Sequence, residues 1–301
     1  MNSHIKKAKN RIKSSLLPYY YKYYKGVSKH TYPDFLIIGA LKSGTTSLYQ
    51  YLNNHSGLVS SSIKETNFFS WEFYKGIKYY LDFFPLKKDT KNQLVFEACP
   101  HYLADPKSPD RIKMILPNVK IIAILRDPIE RAISNYNYFA NPTSFFGIQN
   151  PKKLDKRTVD EAFLDDLQGK EIRIFRQYCR LSLYAKQLEP YYKHFGKKNV
   201  LVLDFDELKL DPRATLKKVS DFLNIDNIEF DSFEDSNENV PSEISFERKN
   251  RKAFSAYNVQ NYSLAIDKKV EQELIAFYTK DIEKLQRLTS TSFKWSNKYL
   301  A

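Results

Sequence analysis

Residues 34–48, DFLIIGALKSGTTSL, constrain this chain more than any other stretch. An apolar run of strand length enters a loop of Gly, Ser and Thr, and the loop leads into helical spacing. A strand, a glycine loop and a helix start, in that order, leave backbone N–H groups free and aim a positive dipole end at an anion. Lys42 adds a mobile point charge, and Ser43, Thr45, Thr46 and Ser47 add hydroxyl donors around Gly44. The stretch predicts a phosphate-binding loop at the carboxyl end of a β-strand, and so an α/β chain. Its spacing narrows the ligand. A Walker loop reads G-x-x-x-x-G-K-[ST]; here Gly39 and Gly44 keep the glycine spacing, but Thr45 stands where that lysine belongs.

The rest of the chain alternates in the same way. Apolar runs at 34–38, 92–98, 118–125 and 199–205 read as strands. Helical spacing covers 45–53, 109–116, 127–139, 183–195, 211–225 and 267–288, with Asp127 as an N-cap and Pro128 in the first turn. Short apolar strands separated by helices predict a P-loop-containing nucleotide-binding fold, with a central, mostly parallel sheet covered by helices on both faces. Residues 140–180 and 231–257 read as irregular loops. No linker divides the body, so the expectation is a basic arm over 1–30 and one domain over 31–301.

Charge and cysteines limit the function classes. The net charge is +13, and residues 1–30 hold eight Lys and Arg and no acid, which leaves +5 (13 − 8) for the body. A mildly basic body suits an anionic ligand. In the arm, Ile5, Ala8, Ile12 and Leu16 recur at helical spacing among lysines. This reads either as an amphipathic helix on an anionic membrane surface or as a solvated arm. The two cysteines, Cys99 and Cys179, give no disulfide framework and point to a reducing compartment. The five histidines lack metal-ligand spacing. No apolar run approaches the roughly 18 residues of a membrane span, and no secretory signal is recognisable.

A second stretch, IIAILRDPIERAISNYNYF, places Arg126 at the end of a buried strand and Ser134 two helical turns on, in register with Pro128 and Arg131. An arginine and a serine there can grip a second phosphate. Read alone, Arg126 serves equally as a surface partner of Asp127 or Glu130. Together the two stretches suggest a ligand with phosphates at two separate positions rather than one polyphosphate tail.

PDFLIIGALKSGTTSLYQYL and ILRDPIERAISNYNYF resemble the two nucleotide signatures of the sulfotransferase family. The resemblance runs over about residues 31–296 and includes SLYAKQLEPYYKHFGKKNVLVLDFDELKLDPRATLKKVSDFL and, like bacterial-type members, FYTKDIEKLQRLTSTSFKW. It implies 3′-phosphoadenosine 5′-phosphosulfate as sulfuryl donor. Lys42, Ser43, Gly44, Thr45, Thr46 and Ser47 would hold its 5′ end, and Arg126 and Ser134 its 3′-phosphate. No metal is expected, because Lys42 and backbone donors can offset the transition-state charge.

Within the family, KETNFF (64–69) is similar to the E-x-x-F-F segment of the heparan sulfate type, which implies Glu65 as catalytic base. Lys64 and Lys42 would keep Glu65 ionised, and Lys64 and Phe68 would join it in binding the acceptor. His101 in FEACPHYL occupies about the place of the catalytic histidine of the cytosolic type and is the rival base. Ala98 departs from the heparan sulfate type, which tends to carry a lysine there. In SFERKNRKAF, Arg248, Lys249 and Arg251 are candidates to close over the nucleotide.

The implied acceptor is a glycan, glycolipid or small molecule, with no nucleic acid. The aromatics Phe68, Phe69, Trp71, Phe73 and Tyr74 suit either sugar stacking or a core. The implied location is cytoplasmic, with the arm able to touch the inner membrane face. Two alternatives stay open. One is a P-loop kinase or nucleotidase using ATP and magnesium, with Asp204 as the metal carboxylate. The other is a non-catalytic polyanion-binding protein driven by the arm.

Overall fold

In the computed structural model, residues 24, 26–90, 92–226 and 264–300 are described. Most of the basic arm, and Arg248, Lys249 and Arg251, lie outside the described residues. Five parallel strands form one sheet in the order β2-β3-β1-β4-β5. They are β1 (Phe35–Gly39), β2 (Leu58–Ser60), β3 (Leu94–Ala98), β4 (Lys120–Leu125) and β5 (Val200–Asp204). β1 is central, pairing Phe35 with Phe96 of β3 on one side and with Lys120 of β4 on the other. The register of β1 against β4 shifts between Ile37 and Gly39, where the chain leaves the sheet for the glycine loop.

The helices, in chain order, are α1 (Thr45–Asn53), α2 (Gly76–Leu81), α3 (His101–Ala104), α4 (Ser108–Ile115), α5 (Pro128–Ala140) and α6 (Phe145–Gln149). They continue as α7 (Val159–Leu167), α8 (Tyr184–Phe195), α9 (Phe205–Leu210), α10 (Pro212–Leu223), α11 (Lys268–Thr289) and α12 (Asn297–Leu300). Strand alternation sends side chains to two cores. Leu36, Ile38, Ile121, Ala123 and Leu125 meet α5, α8 and α11 on one face. Phe35, Ile37, Ile122 and Ile124 meet α1 and α10 on the other. Each fully buried Leu or Ile contributes about 1.5–3 kcal/mol, which is why the strands read as unbroken apolar runs.

Two expectations change. β2 is an additional strand at the sheet edge, too short at Leu58–Ser60 to show a period. Residues 140–180, expected to be irregular, contain α6, α7 and several helical turns. Thr158 starts α7 with a capping box closed by Glu161. Arg157 then ties the segment together, pairing with Asp155 at 2.6 Å, Glu171 at 2.8 Å and Asp165 at 3.0 Å.

Candidate active site

The glycine loop leaves β1 at the carboxyl edge of the sheet, as the strand–loop–helix pattern predicts. Gly44 sits at φ 83°, a left-handed conformation, and a Cβ there would lie 2.5 Å from the Phe205 ring. Only glycine fits both demands. Gly44 is also the N-cap of α1, and no side chain among the described residues caps that end. The first-turn N–H groups are therefore left without a side-chain cap, as an anion site requires. Lys42 too is left-handed, at φ 67°. Its ammonium lies 4.8 Å from the centre of the Tyr138 ring. Burial first, then the charge of Arg126, pull Lys42 down to about 8. Ser43 and Thr45 are buried, Thr46 is half-buried and Ser47 is exposed.

Arg126 emerges from the end of β4 beside this loop. Its guanidinium stacks over Phe205 at 5.0 Å, on the same ring that Gly44 abuts. It also pairs with Glu130 at 2.9 Å. The surface pairing and the phosphate reading are thus compatible: Glu130 holds Arg126 along α5, and Ser134 follows Glu130 by one turn on the same helix face. Asp127 anchors the start of α5. Its carboxylate accepts the N–H groups of Ile129 (2.8 Å) and Glu130 (2.9 Å) and the Tyr299 hydroxyl (2.9 Å). Arg131 turns the other way, fully buried, with its Nε donating to Ser182 Oγ at 2.5 Å.

Glu65 completes the cluster. Burial pushes its carboxyl up, but the charge and 2.6 Å hydrogen bond of Lys64, then His101 and Lys42, outweigh that and hold it below the usual glutamate value. His101 is lowered, by burial first. At neutral pH Glu65 is therefore an ionised carboxylate and His101 a neutral imidazole, and both can accept a proton. The His101 ring packs tilted against Trp71 at 4.7 Å and meets Phe175 edge-on at 5.2 Å. These rings line a cavity of about 60 Å³ that also touches Ala40 and Leu41 of the loop. Trp71 (43%) and Ile174 (59%) are exposed.

Two sequence expectations need correction. Phe68, a candidate acceptor contact, is 0% exposed and stacks on Tyr80 at 4.4 Å. Phe69 is buried beside it, so both support the turn from beneath rather than touch a ligand. Asp204, the candidate magnesium carboxylate, caps α9 by accepting the Asp206 N–H at 2.9 Å. That role fixes the carboxylate at the helix end. Sequence reasoning missed Phe205, Tyr138 and Phe175. Only Phe205 carried a signal, its place directly after a strand at the ligand edge of the sheet.

The comparisons with known proteins agree with this fold. A sulfotransferase domain model matches residues 32–287. The human bifunctional heparan sulfate N-deacetylase/N-sulfotransferase 3 is 30% identical over 200 residues, 64% of this chain and 22% of that protein. Mouse heparan sulfate glucosamine 3-O-sulfotransferase 3B1 is 29% identical over 206 residues, 68% of this chain and 50% of that protein. This chain thus spans half or less of those two relatives. Among solved structures, a sulfotransferase from Alicyclobacillus acidocaldarius shares the fold with a TM-score of 0.66 at 23% identity, covering 88% of this chain and 99% of that one. Mouse sulfotransferase SULT7A1 complexed with PAP gives 0.50 at 17% identity, covering 86% and 89%. A glycine loop, an arginine strand and a carboxylate turn meet at one sheet edge, and the matching model spans nearly the whole described body: this chain belongs to the sulfotransferase family.

Proposed function

We propose that the protein transfers a sulfuryl group from 3′-phosphoadenosine 5′-phosphosulfate to a hydroxyl or amine of a glycan or glycolipid acceptor, with residues 31–301 as the catalytic unit. The observation that carries this reading is the Phe205 ring, which has Gly44 of the loop against it and Arg126 stacked over it. Two anion-binding elements stand side by side, with Glu65 in the electrostatic reach of Lys42. The residues fit the donor: an uncapped helix start for its 5′ end, and Arg126 with Ser134 for its 3′-phosphate. Glu65 takes the acceptor proton, and Lys42 offsets charge that builds on the departing phosphate. The names of the heparan sulfate relatives support a glycan acceptor. Another relative, the membrane-associated sulfotransferase kil1 of Dictyostelium discoideum, supports a membrane contact, which we assign to the basic arm on its charge. No helix among the described residues is long and apolar enough to cross a membrane.

Calorimetry with 3′-phosphoadenosine 5′-phosphate tests the donor site, with ATP and magnesium as comparison. Binding without metal, lost in an Arg126→Ala, Ser134→Ala variant, is expected. A preference for ATP with magnesium would overturn the reading. Glu65→Gln and His101→Asn then separate the bases in transfer to N-deacetylated heparosan oligosaccharides. The glutamine variant should lose roughly 100- to 10,000-fold in kcat, the range of general-base catalysis, and the asparagine variant far less.

A further inference from the structure

Glu97 is the last but one residue of β3, fully buried, and the mechanism above gives it no role. Three hydroxyls donate to its carboxylate: Thr66 to Oε1 at 2.5 Å, Tyr102 to Oε1 at 2.8 Å and Tyr80 to Oε2 at 2.7 Å. Two of these hydroxyls pass the constraint on. Thr66 Oγ1 accepts the Phe68 N–H at 3.2 Å, and the Tyr102 oxygen accepts the Phe69 N–H at 3.3 Å. Thr66 is the neighbour of Glu65, and Tyr102 is the neighbour of His101. One carboxylate thus ties down the two segments that carry the candidate bases.

The residues after Glu97 hold the same turn. The Ala98 carbonyl accepts the Glu65 N–H at 3.0 Å, and the Cys99 thiol donates to Asn67 Oδ1 at 3.2 Å. Asn67 Nδ2 donates in turn to the Glu65 carbonyl at 2.9 Å. The turn needs this support. Glu65 and Asn67 sit at φ 67° and 54°, left-handed conformations that cost about 1–3 kcal/mol each and persist only where the surroundings impose them. Among the described residues no basic side chain takes part in the hydroxyl cluster. Its one-way donor pattern matches an acceptor-only carboxylate.

We propose that Glu97 is the positioning residue of the transfer site, fixing Glu65 through Thr66 and His101 through Tyr102 in the geometry that reaches the acceptor. This rests on the sulfotransferase reading for its catalytic consequence, but the clamp itself is testable without turnover. The test compares Glu97→Gln, Thr66→Val and Thr66→Ser with wild type. Amide exchange at Phe68 and Phe69 should accelerate in Glu97→Gln, and at Phe68 in Thr66→Val. NMR titration should show Glu65 and His101 drifting toward their ordinary values of about 4.3 and 6.5 in Glu97→Gln. Turnover on N-deacetylated heparosan should fall roughly 10- to 100-fold in both variants, as for a catalytic group displaced by about 1 Å. Affinity for 3′-phosphoadenosine 5′-phosphate should stay within about twofold, because the nucleotide contacts lie elsewhere. Thr66→Ser, which keeps the hydroxyl, should behave as wild type.

Unchanged exchange and titration in folded Glu97→Gln would overturn the proposal. So would Thr66→Ser failing like Thr66→Val, or nucleotide binding lost along with turnover. If Glu97→Gln does not fold, the Thr66 pair decides. If the wild type neither binds the nucleotide nor transfers, the sulfotransferase reading fails, while exchange and titration still judge the clamp.

Discussion

Lys42 couples the site to pH. Its ammonium is pulled down to about 8, by burial first and then by Arg126. A bound phosphate favours the charged form, so nucleotide binding should take up a proton near that pH. Affinity should be flat below about pH 8 and fall toward tenfold per unit above it, until the pKa of the complex is reached. Calorimetry in buffers of different ionisation enthalpy reads this directly; a flat profile from pH 7 to 10 would contradict it. The free protein shows the opposite trend. The folded lysine loses its proton before the unfolded one, whose ordinary value is 10.5, so this group's contribution to stability rises with pH from about 8 to 10.5. Lys42 itself was legible in the sequence, from its place in the loop. Its partner Tyr138, and Phe205 against which Gly44 of the same loop packs, were not, because they lie about 100 and 160 residues away along the chain.

At the scale of elements, the loop depends on Gly44. Alanine there meets both a positive φ and the Phe205 ring at 2.5 Å. Gly44→Ala should cost about 1–3 kcal/mol of stability, read by urea unfolding, and should weaken nucleotide binding further by moving the α1 start. A Gly44→Ala, Phe205→Ala variant removes the clash but keeps the strained φ, so it should recover stability only in part. The helix starts show what local sequence decides. Asp127 caps α5 and Asp211 caps α10, each followed by proline, and both boundaries follow from those residues alone. The 64–69 turn is the contrary case. Nothing in KETNFF announces two left-handed residues, because the force that holds them comes from β3.

At the scale of the molecule, the segment over residues 150–180 brings Phe175 to His101, and it stands on charge pairs. Asp155 is pushed up by burial, but hydrogen bonds from Arg157 and Tyr178 outweigh this and hold it at about 2. Glu171 is held at about 2 by Arg173 first, against the opposing effect of burial. Both values are depressed, so the stability they contribute is complete above the unfolded carboxylate range and is lost as pH falls from about 4.5 toward 2. Acid titration followed by limited proteolysis should release this segment before the sheet. Arg157→Ala removes three ion pairs at once but leaves Arg173 on Glu171 at 2.8 Å and Arg176 within 3.6 Å of Asp155, and should destabilise the protein by on the order of 1–3 kcal/mol. Cleavage of the segment no earlier than the core strands would count against this account.

The sequence by itself determined the parallel sheet, the loop at 39–47 and the Arg126 strand, which are written locally, in apolar runs, capping residues and glycine spacing. The candidate bases Glu65 and His101 came from the family resemblance of their segments. Tertiary structure decided which candidates share a site. It set Gly44 and Arg126 on one Phe205 ring, sent Phe68 into the core, made Asp204 a helix cap and gathered three hydroxyls on Glu97. Each of these outcomes depends on burial and on partners distant in the chain. A side chain's role there is set by its neighbours in space, which residue type and local spacing do not encode.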